Sequence, residues 1–325
     1  MGRAVPPPDV NADGPFDVIT MGRVGVDLYP EQSGIPLREV RTFAKSLGGS
    51  PTNVAVGAAR YGHRAAVITK VGADGFGDYV RAALRGFGVD DRWVGKDPEL
   101  RTPVVFCELL PPEAPSILFY RQPTAPDMRL AADDLDLDAI REARVFWTTG
   151  TGLSAEPSRS ATLAALEARG RSGVTIHDLD HRPVFWSSPE EAGVEQRRAI
   201  ASATVTVGNV EECAVAVGPG TPEEQAARLR DLGLELVIVK LGGQGVLAVW
   251  EGGSARFPPV RVHVVNGLGA GDAFGGAVCH GILEGWDVPR TIRFANAAGA
   301  HVASKLACAD EMPTEAEVEA LLVDA

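Results

Sequence analysis

Gly267-Leu268-Gly269-Ala270-Gly271-Asp272-Ala273-Phe274 sets three glycines and one acid directly before an apolar run, residues 273–283, that reads as a helix. Bare amides at a helix N-terminus lack intrahelical partners and carry the positive end of the dipole, so they bind anions. A carboxylate among them would repel a resting phosphate. It suits the site if it accepts a proton from a hydroxyl that attacks the phosphate. The stretch therefore points to a phosphotransferase.

Outward from this stretch, short apolar runs alternate with helical ones. Residues 16–21, 65–71, 144–149, 174–178, 204–207 and 236–240 read as buried strands. Between them, Ser50-Pro51-Thr52-Asn53 supplies a cap and a first-turn proline for a helix over 54–61, which Gly62 ends. Residues 76–87, stopping at Gly88, and residues 158–171 and 222–232 read as further helices. This alternation predicts an α/β fold, a mostly parallel sheet with helices on both faces.

Two regions break the alternation. Residues 24–47 and 102–121 read as strand pairs with no helix between them, which predicts a small β-sheet lid over one end of the body. Such a lid would exclude water from a transfer site. The first 15 residues contain Pro6-Pro7-Pro8 and read as a disordered tail, leaving 16–325 as the folded domain.

Composition narrows the function. The 325 residues carry a net charge of -12, which argues against a nucleic-acid partner. Cys107, Cys213, Cys279 and Cys308 form no CxxC pair, and the six histidines form no metal-binding pattern. Reduced thiols and the absence of any membrane-length apolar run suit a cytoplasmic protein without a membrane partner.

Further motifs lie at the ends of the expected strands, where open α/β sheets bind ligands. Gly48-Gly49-Ser50-Pro51-Thr52-Asn53 lets a ligand approach the backbone, and Asn53 can both donate to and accept from sugar hydroxyls. Asp27 can accept two polyol hydroxyls, although a lone loop acid is more often simply solvated. Arg121 and Arg182 can clamp a carboxylate, or can be ordinary surface arginines. Asn209 and Glu212 share a helix face and can orient water around magnesium; capping of that helix explains them equally well. Lys240-Leu241-Gly242-Gly243-Gln244-Gly245 can pass beneath a nucleotide or can be a hairpin turn. No GxxxxGK[ST] loop and no early GxGxxG occurs.

Together, Gly48-Gly49-Ser50-Pro51-Thr52-Asn53, Asn209-x-x-Glu212 and Gly269-Ala270-Gly271-Asp272 resemble the signatures of the ribokinase-like (PfkB) carbohydrate kinases. The resemblance covers nearly the whole chain after about residue 15. It implies a Rossmann-like three-layer sandwich with a β lid. It makes Asp272 the catalytic base and Gly269, Ala270 and Gly271 an anion hole. Asp27, Gly49 and Asn53 become sugar contacts, and Arg121 and Arg182 carboxylate contacts. Asn209, Lys240, Gly242, Gly243, Gly245 and Asn296 fall around ATP, with Glu212 serving Mg2+ through water.

Within the family, four stretches are most similar to the sugar-acid kinases of myo-inositol catabolism. They are Arg41-Thr42-Phe43-Ala44-Lys45, Ser116-Ile117-Leu118-Phe119-Tyr120-Arg121, Asp178-Leu179-Asp180-His181-Arg182-Pro183 and Cys308-Ala309-Asp310-Glu311-Met312-Pro313-Thr314. The similarity implies phosphorylation of 5-dehydro-2-deoxy-D-gluconate at its C6 hydroxyl. Three alternatives stay open: a 2-keto-3-deoxygluconate kinase, a neutral-sugar kinase, and a non-catalytic sugar or nucleotide sensor. Asn266-Gly267-Leu268 replaces the family's usual Asp-Thr, which puts dependence on K+ in question. An exposed lid edge would also allow a homodimer.

Overall fold

The computed structural model describes residues 14–32 and 34–323; the expected tail, apart from Gly14 and Pro15, lies outside them. The strands in chain order are β1 (Val18–Met21), β2 (Gly25–Pro30), β3 (Phe43–Gly48), β4 (Ala65–Gly72), β5 (Val89–Asp90), β6 (Val94–Asp97) and β7 (Val104–Glu108). They continue as β8 (Ser116–Tyr120), β9 (Val145–Thr149), β10 (Val174–Asp178), β11 (Val205–Asn209), β12 (Leu236–Lys240), β13 (Val246–Trp250) and β14 (Gly253–Phe257). The helices are α1 (Ser50–Arg60), α2 (Gly75–Gly86), α3 (Leu137–Glu142), α4 (Ser158–Arg169) and α5 (Pro189–Ile200). After them come α6 (Val210–Val217), α7 (Pro222–Asp231), α8 (Ala270–Leu283), α9 (Val288–Ala303) and α10 (Glu315–Val323).

Ten strands form the main sheet, in the order β14-β13-β12-β11-β10-β9-β1-β4-β5, with β6 also on β4. Pairing is parallel except where β13 and β14 add as antiparallel edge strands. Strand residues alternate between the two faces. Val145 and Trp147 join the core beneath α1, α8 and α9, whereas Phe146 joins the core beneath α3 and α4. Each such buried aliphatic or aromatic side chain contributes about 1.5–3 kcal/mol. Helices thus cover both faces, which is the expected α/β sandwich.

A second sheet, β3-β2-β7-β8, is built from the two regions that lack α-helices, a single helical turn at Leu37–Glu39 lying between β2 and β3. Its strands are antiparallel except for the β2–β7 pair.

Two features of the body position the site. The C-terminal ends of β1, β9, β10, β11 and β12 line one edge, with Met21 beside Thr148, Thr149 beside Asp178, and Asn209 beside Lys240. Secondly, α1 and α8 cross backbone to backbone. A Cβ built on Gly276 would stand 3.0 Å from the Gly57 Cα, so side chains larger than hydrogen would force the helices apart.

Helix boundaries differ from expectation at the two functional turns. Helix α8 begins at Ala270, three residues early, because Gly269 caps it at φ 80. Asp272 therefore lies inside the first turn. Helix α1 is capped by Gly49 at φ 107, and Ser50 is already its first residue.

Candidate active site

The crossing of α1 and α8 brings Asn53 to Asp272. The Asn53 amide Nδ2 donates to Asp272 Oδ2 at 2.7 Å. The Asn53 Oδ1 is buried and has no hydrogen-bond partner among the described residues. It is an acceptor aimed at a site that lacks a donor, as a sugar hydroxyl would supply. Burial pushes the Asp272 carboxyl above its ordinary value, against the opposing pull of Asn53, Arg23 and Ser50. A helix N-terminus by itself favours the charged carboxylate and weakens it as a base. Desolvation outweighs the dipole here and makes it a better proton acceptor.

Asp27 faces the same cleft from β2. It accepts from Tyr29 Oη at 3.1 Å, and burial lifts its pKa to about 6 in spite of Arg23. Gly48 must lack a side chain, since a Cβ there would fall 2.1 Å from Asp27 Oδ1. At Gly49 a Cβ would fall 2.4 Å from the Arg23 carbonyl oxygen. Gly269 packs in the same way on Cys308, whose Sγ lies 3.9 Å from Asp272 Oδ2. Asp27, Gly49, Asn53, Arg182, Gly269 and Asp272 all line one narrow cleft of about 50 Å³.

The arginines are arranged differently from expectation. Arg121 does not line this cleft. Its guanidinium binds both oxygens of Asp127, a residue only 1% exposed. In its place the cleft holds Arg23, from the turn after β1. Arg23 and Arg182 both reach Asp180, at 3.3 and 3.0 Å. Burial alone would raise the Asp180 pKa; Arg23 and then Arg182 outweigh it and hold the carboxylate ionised. Little in the sequence marks Arg23, because its partner Asp180 is 157 residues away. Its one local signal was a charge at the very end of a buried strand.

The remaining candidates lie along the strand-end edge and beyond. Asn209 caps α6. Its Oδ1 accepts from the Glu212 N–H at 2.9 Å, and Glu212 Oε2 accepts from the Asn209 N–H at 2.7 Å. The capping explanation is thus correct for this pair, which leaves the Asn209 amide group for other partners. Lys240 lies beside the start of α8, its Nζ 3.4 Å from where a Gly271 Cβ would stand. Burial would lower the Lys240 pKa, but Asp178 and then Glu212 overcome it and hold the ammonium charged. Gly242 and Gly243 form an exposed turn between β12 and β13, and a Cβ on either would meet nothing within 4 Å. The hairpin reading of this turn is correct. Gly245, at φ 89, closes it against the Phe257 carbonyl. Asn296 on α9 donates to the Pro258 carbonyl at 3.1 Å. These four residues lie outside the Asp272 cleft. Asn266 is fully buried and held at both ends, its Nδ2 donating to Leu306 O and its Oδ1 accepting from the Leu268 N–H.

Residues 16–315 match the model of the pfkB family of carbohydrate kinases. A 5-dehydro-2-deoxygluconokinase of Clostridium perfringens is 36% identical over 306 residues, covering 92% of this chain and 90% of that protein. A double-mutant fructokinase of Vibrio cholerae, solved with fructose, ADP and potassium ion, is 27% identical with a TM-score of 0.84, covering 96% of this chain and 100% of that chain. A sugar kinase of Pyrococcus horikoshii, solved with ATP, is 27% identical with a TM-score of 0.77, covering 94% of this chain and 99% of that one. The buried acid on the first turn of α8, the cleft in front of it and these likenesses agree: the chain belongs to the pfkB family of carbohydrate kinases and is a phosphotransferase that acts on a sugar hydroxyl.

Proposed function

We propose that this chain transfers the γ-phosphoryl group of ATP to the primary C6 hydroxyl of 5-dehydro-2-deoxy-D-gluconate. One observation carries the reading: Asp272 shares its cleft with two cationic side chains, Arg23 and Arg182. The acid suits an attacking alcohol, and the cations suit an acidic sugar. The name and 36% identity of the Clostridium perfringens relative support the choice of sugar acid.

In this reading Asp27, the Gly49 backbone and the Asn53 Oδ1 hold sugar hydroxyls. Asp272 takes the proton of the attacking hydroxyl. The N–H groups of Gly269, Ala270 and Gly271 receive the transferring phosphoryl group, and Lys240 adds a fixed positive charge beside them. The transition state is loose, so proton removal comes late and a carboxylate suffices. Asn209, Gly242, Gly243, Gly245 and Asn296 form the nucleotide side. The buried Glu212 carboxylate in the first turn of α6, just past β11, is a sparse oxygen donor of the kind Mg2+ accepts, with water completing its shell. Magnesium bound there would neutralise phosphate charge. Asn266 is neutral and engaged on both sides, which supports turnover without added potassium. The small sheet serves as the lid.

A coupled ADP-release assay tests the reading with 5-dehydro-2-deoxygluconate, 2-keto-3-deoxygluconate, fructose, ribose and adenosine, with and without potassium. The highest kcat/KM is expected for 5-dehydro-2-deoxygluconate. A neutral acceptor preferred over both acids overturns it.

The reading includes a homodimer formed through the lid. The outward face of the small sheet leaves Leu118 48% and Tyr120 65% exposed, next to Val104 and Phe106. An apolar sheet face of this kind supports pairing with a second copy. Light scattering should give twice the chain mass, and Tyr120→Glu should return a monomer. A monomeric parent protein would refute this part.

A further inference from the structure

The Arg23–Asp180–Arg182 group holds two guanidinium groups against one carboxylate. Asp180 accepts from Arg23 Nε at 3.3 Å through Oδ2 and pairs with Arg182 Nη2 at 3.0 Å through Oδ1. Thr151 Oγ1 donates to the same carboxylate at 3.1 Å. Two guanidinium groups thus share one carboxylate at bonding distance, while Asp272 and Asp27 act on Arg23 only as further counter-charges across the cleft. The Asp180 backbone sits at φ 25, a conformation that costs a non-glycine residue on the order of 1 kcal/mol or more. The Arg182 Nε is buried and has no hydrogen-bond partner among the described residues. A buried orphan donor on a cation calls for an acceptor, and an anionic one above all.

Arg121 is a different case. It meets Asp127 one to one, so its charge is compensated. Asp127 Oδ2 also accepts from the Val24 N–H at 2.9 Å, which fixes the turn that carries Arg23. Arg121 therefore acts on the cleft through Asp127 and that turn.

We infer that Arg23 and Arg182, braced on Asp180, form the seat for the acceptor's carboxylate, and that Arg121 is a positioning residue for Arg23. The assignment rests on the sugar-acid reading above. It also sets the direction of binding. Asp27 and Asp272 repel an anionic end from their side of the cleft, so the carboxylate goes to the arginines and the opposite hydroxyl goes to Asp272. A six-carbon acid with its acid group at C1 and its alcohol at C6 meets both demands.

Steady-state kinetics with 5-dehydro-2-deoxygluconate and ATP test the assignment on the full chain. Arg23→Met and Arg182→Met should each raise KM for the sugar acid about 30-fold or more, the loss of one charge-assisted pair, while KM for ATP stays within about threefold. Arg121→Met should lower the melting temperature and raise the sugar KM by less than either. Arg23→Lys, which keeps the charge and loses the fork, covers the case in which Arg23→Met does not fold; it should raise the sugar KM about tenfold. A sugar KM unmoved in the Arg23 variants, a parallel rise in ATP KM, or the largest effect at Arg121 overturns the assignment. Absence of wild-type turnover on every sugar acid removes the kinase reading and this seat with it. Normal wild-type turnover with an unmoved Arg23 variant removes the seat alone.

Discussion

Asn53 Nδ2 and Asp272 Oδ2 are joined by a 2.7 Å hydrogen bond between the first turns of two helices 219 residues apart in sequence. The bond stabilises the charged carboxylate while burial destabilises it more. Asp272 must be ionised to accept a proton, so kcat should fall as pH drops through its raised pKa. Asn53→Ala removes a contact that favours the anion and should shift this acid limb to higher pH. Asp272→Asn should cut kcat by about 10²–10⁴-fold with little change in ATP affinity. Rate profiles across pH check both, and wild-type turnover by Asp272→Asn would dismiss the role.

Lys240 places a positive charge beside Gly271. Lys240→Met should lower kcat/KM for ATP by about 10²-fold, the scale of removing one fixed electrostatic partner of a developing anion. Without the ammonium, Asp178 would also titrate higher. Initial rates over a range of ATP concentrations give the answer, and an unaltered kcat/KM would place Lys240 outside the chemistry.

His177 predicts how stability follows pH. It is fully buried between Thr148 Oγ1 at 2.9 Å and Gln196 Oε1 at 2.7 Å. Burial lowers its pKa from 6.5 to about 4. The folded value lies below the unfolded one, so the contribution is complete above pH 6.5 and is lost as pH falls toward about 4. The loss is on the order of 3 kcal/mol. His177→Gln should flatten the dependence over this range, whatever it does to stability at neutral pH. Urea unfolding at several pH values measures the difference in slope, and equal slopes would contradict the assignment.

Gly276→Ala would press a methyl group to 3.0 Å from the Gly57 Cα. We expect a loss of about 1–3 kcal/mol and a fall in kcat, since α1 and α8 carry the two partners of the Asn53–Asp272 bond. Chemical denaturation and turnover should change together. Full stability in this variant would show that the seam can open freely.

Local pattern carried much of the architecture. The buried strands at 174–178 and 236–240 have the same bounds in the structure as in the sequence reading. Strand pairs without helices also marked the second sheet. Elements were missed where the pattern is masked: α5 and α9 went unread, and α8 began early because its cap is a glycine with no side chain to signal it. Site chemistry was legible where one segment carries both a bare turn and its acid, as at 269–272. It was opaque where partners converge from afar. Arg121 and Arg23 look alike in sequence, and only the assembled structure separates an arginine paired to its own carboxylate from one that shares a carboxylate with a second arginine. The raised pKa of Asp272 was hidden for the same reason, since desolvation is a property of the assembled cleft.

The contact between Gly57 and Gly276 joins an early segment of the chain to a late one without any rotatable group between them. The acceptor side of the cleft hangs from the first segment and the phosphoryl side from the second. Their spacing at this crossing is thus set by main-chain contact. Acceptor preference can then be altered at the arginines and the small sheet without detuning the distance over which the phosphoryl group must travel.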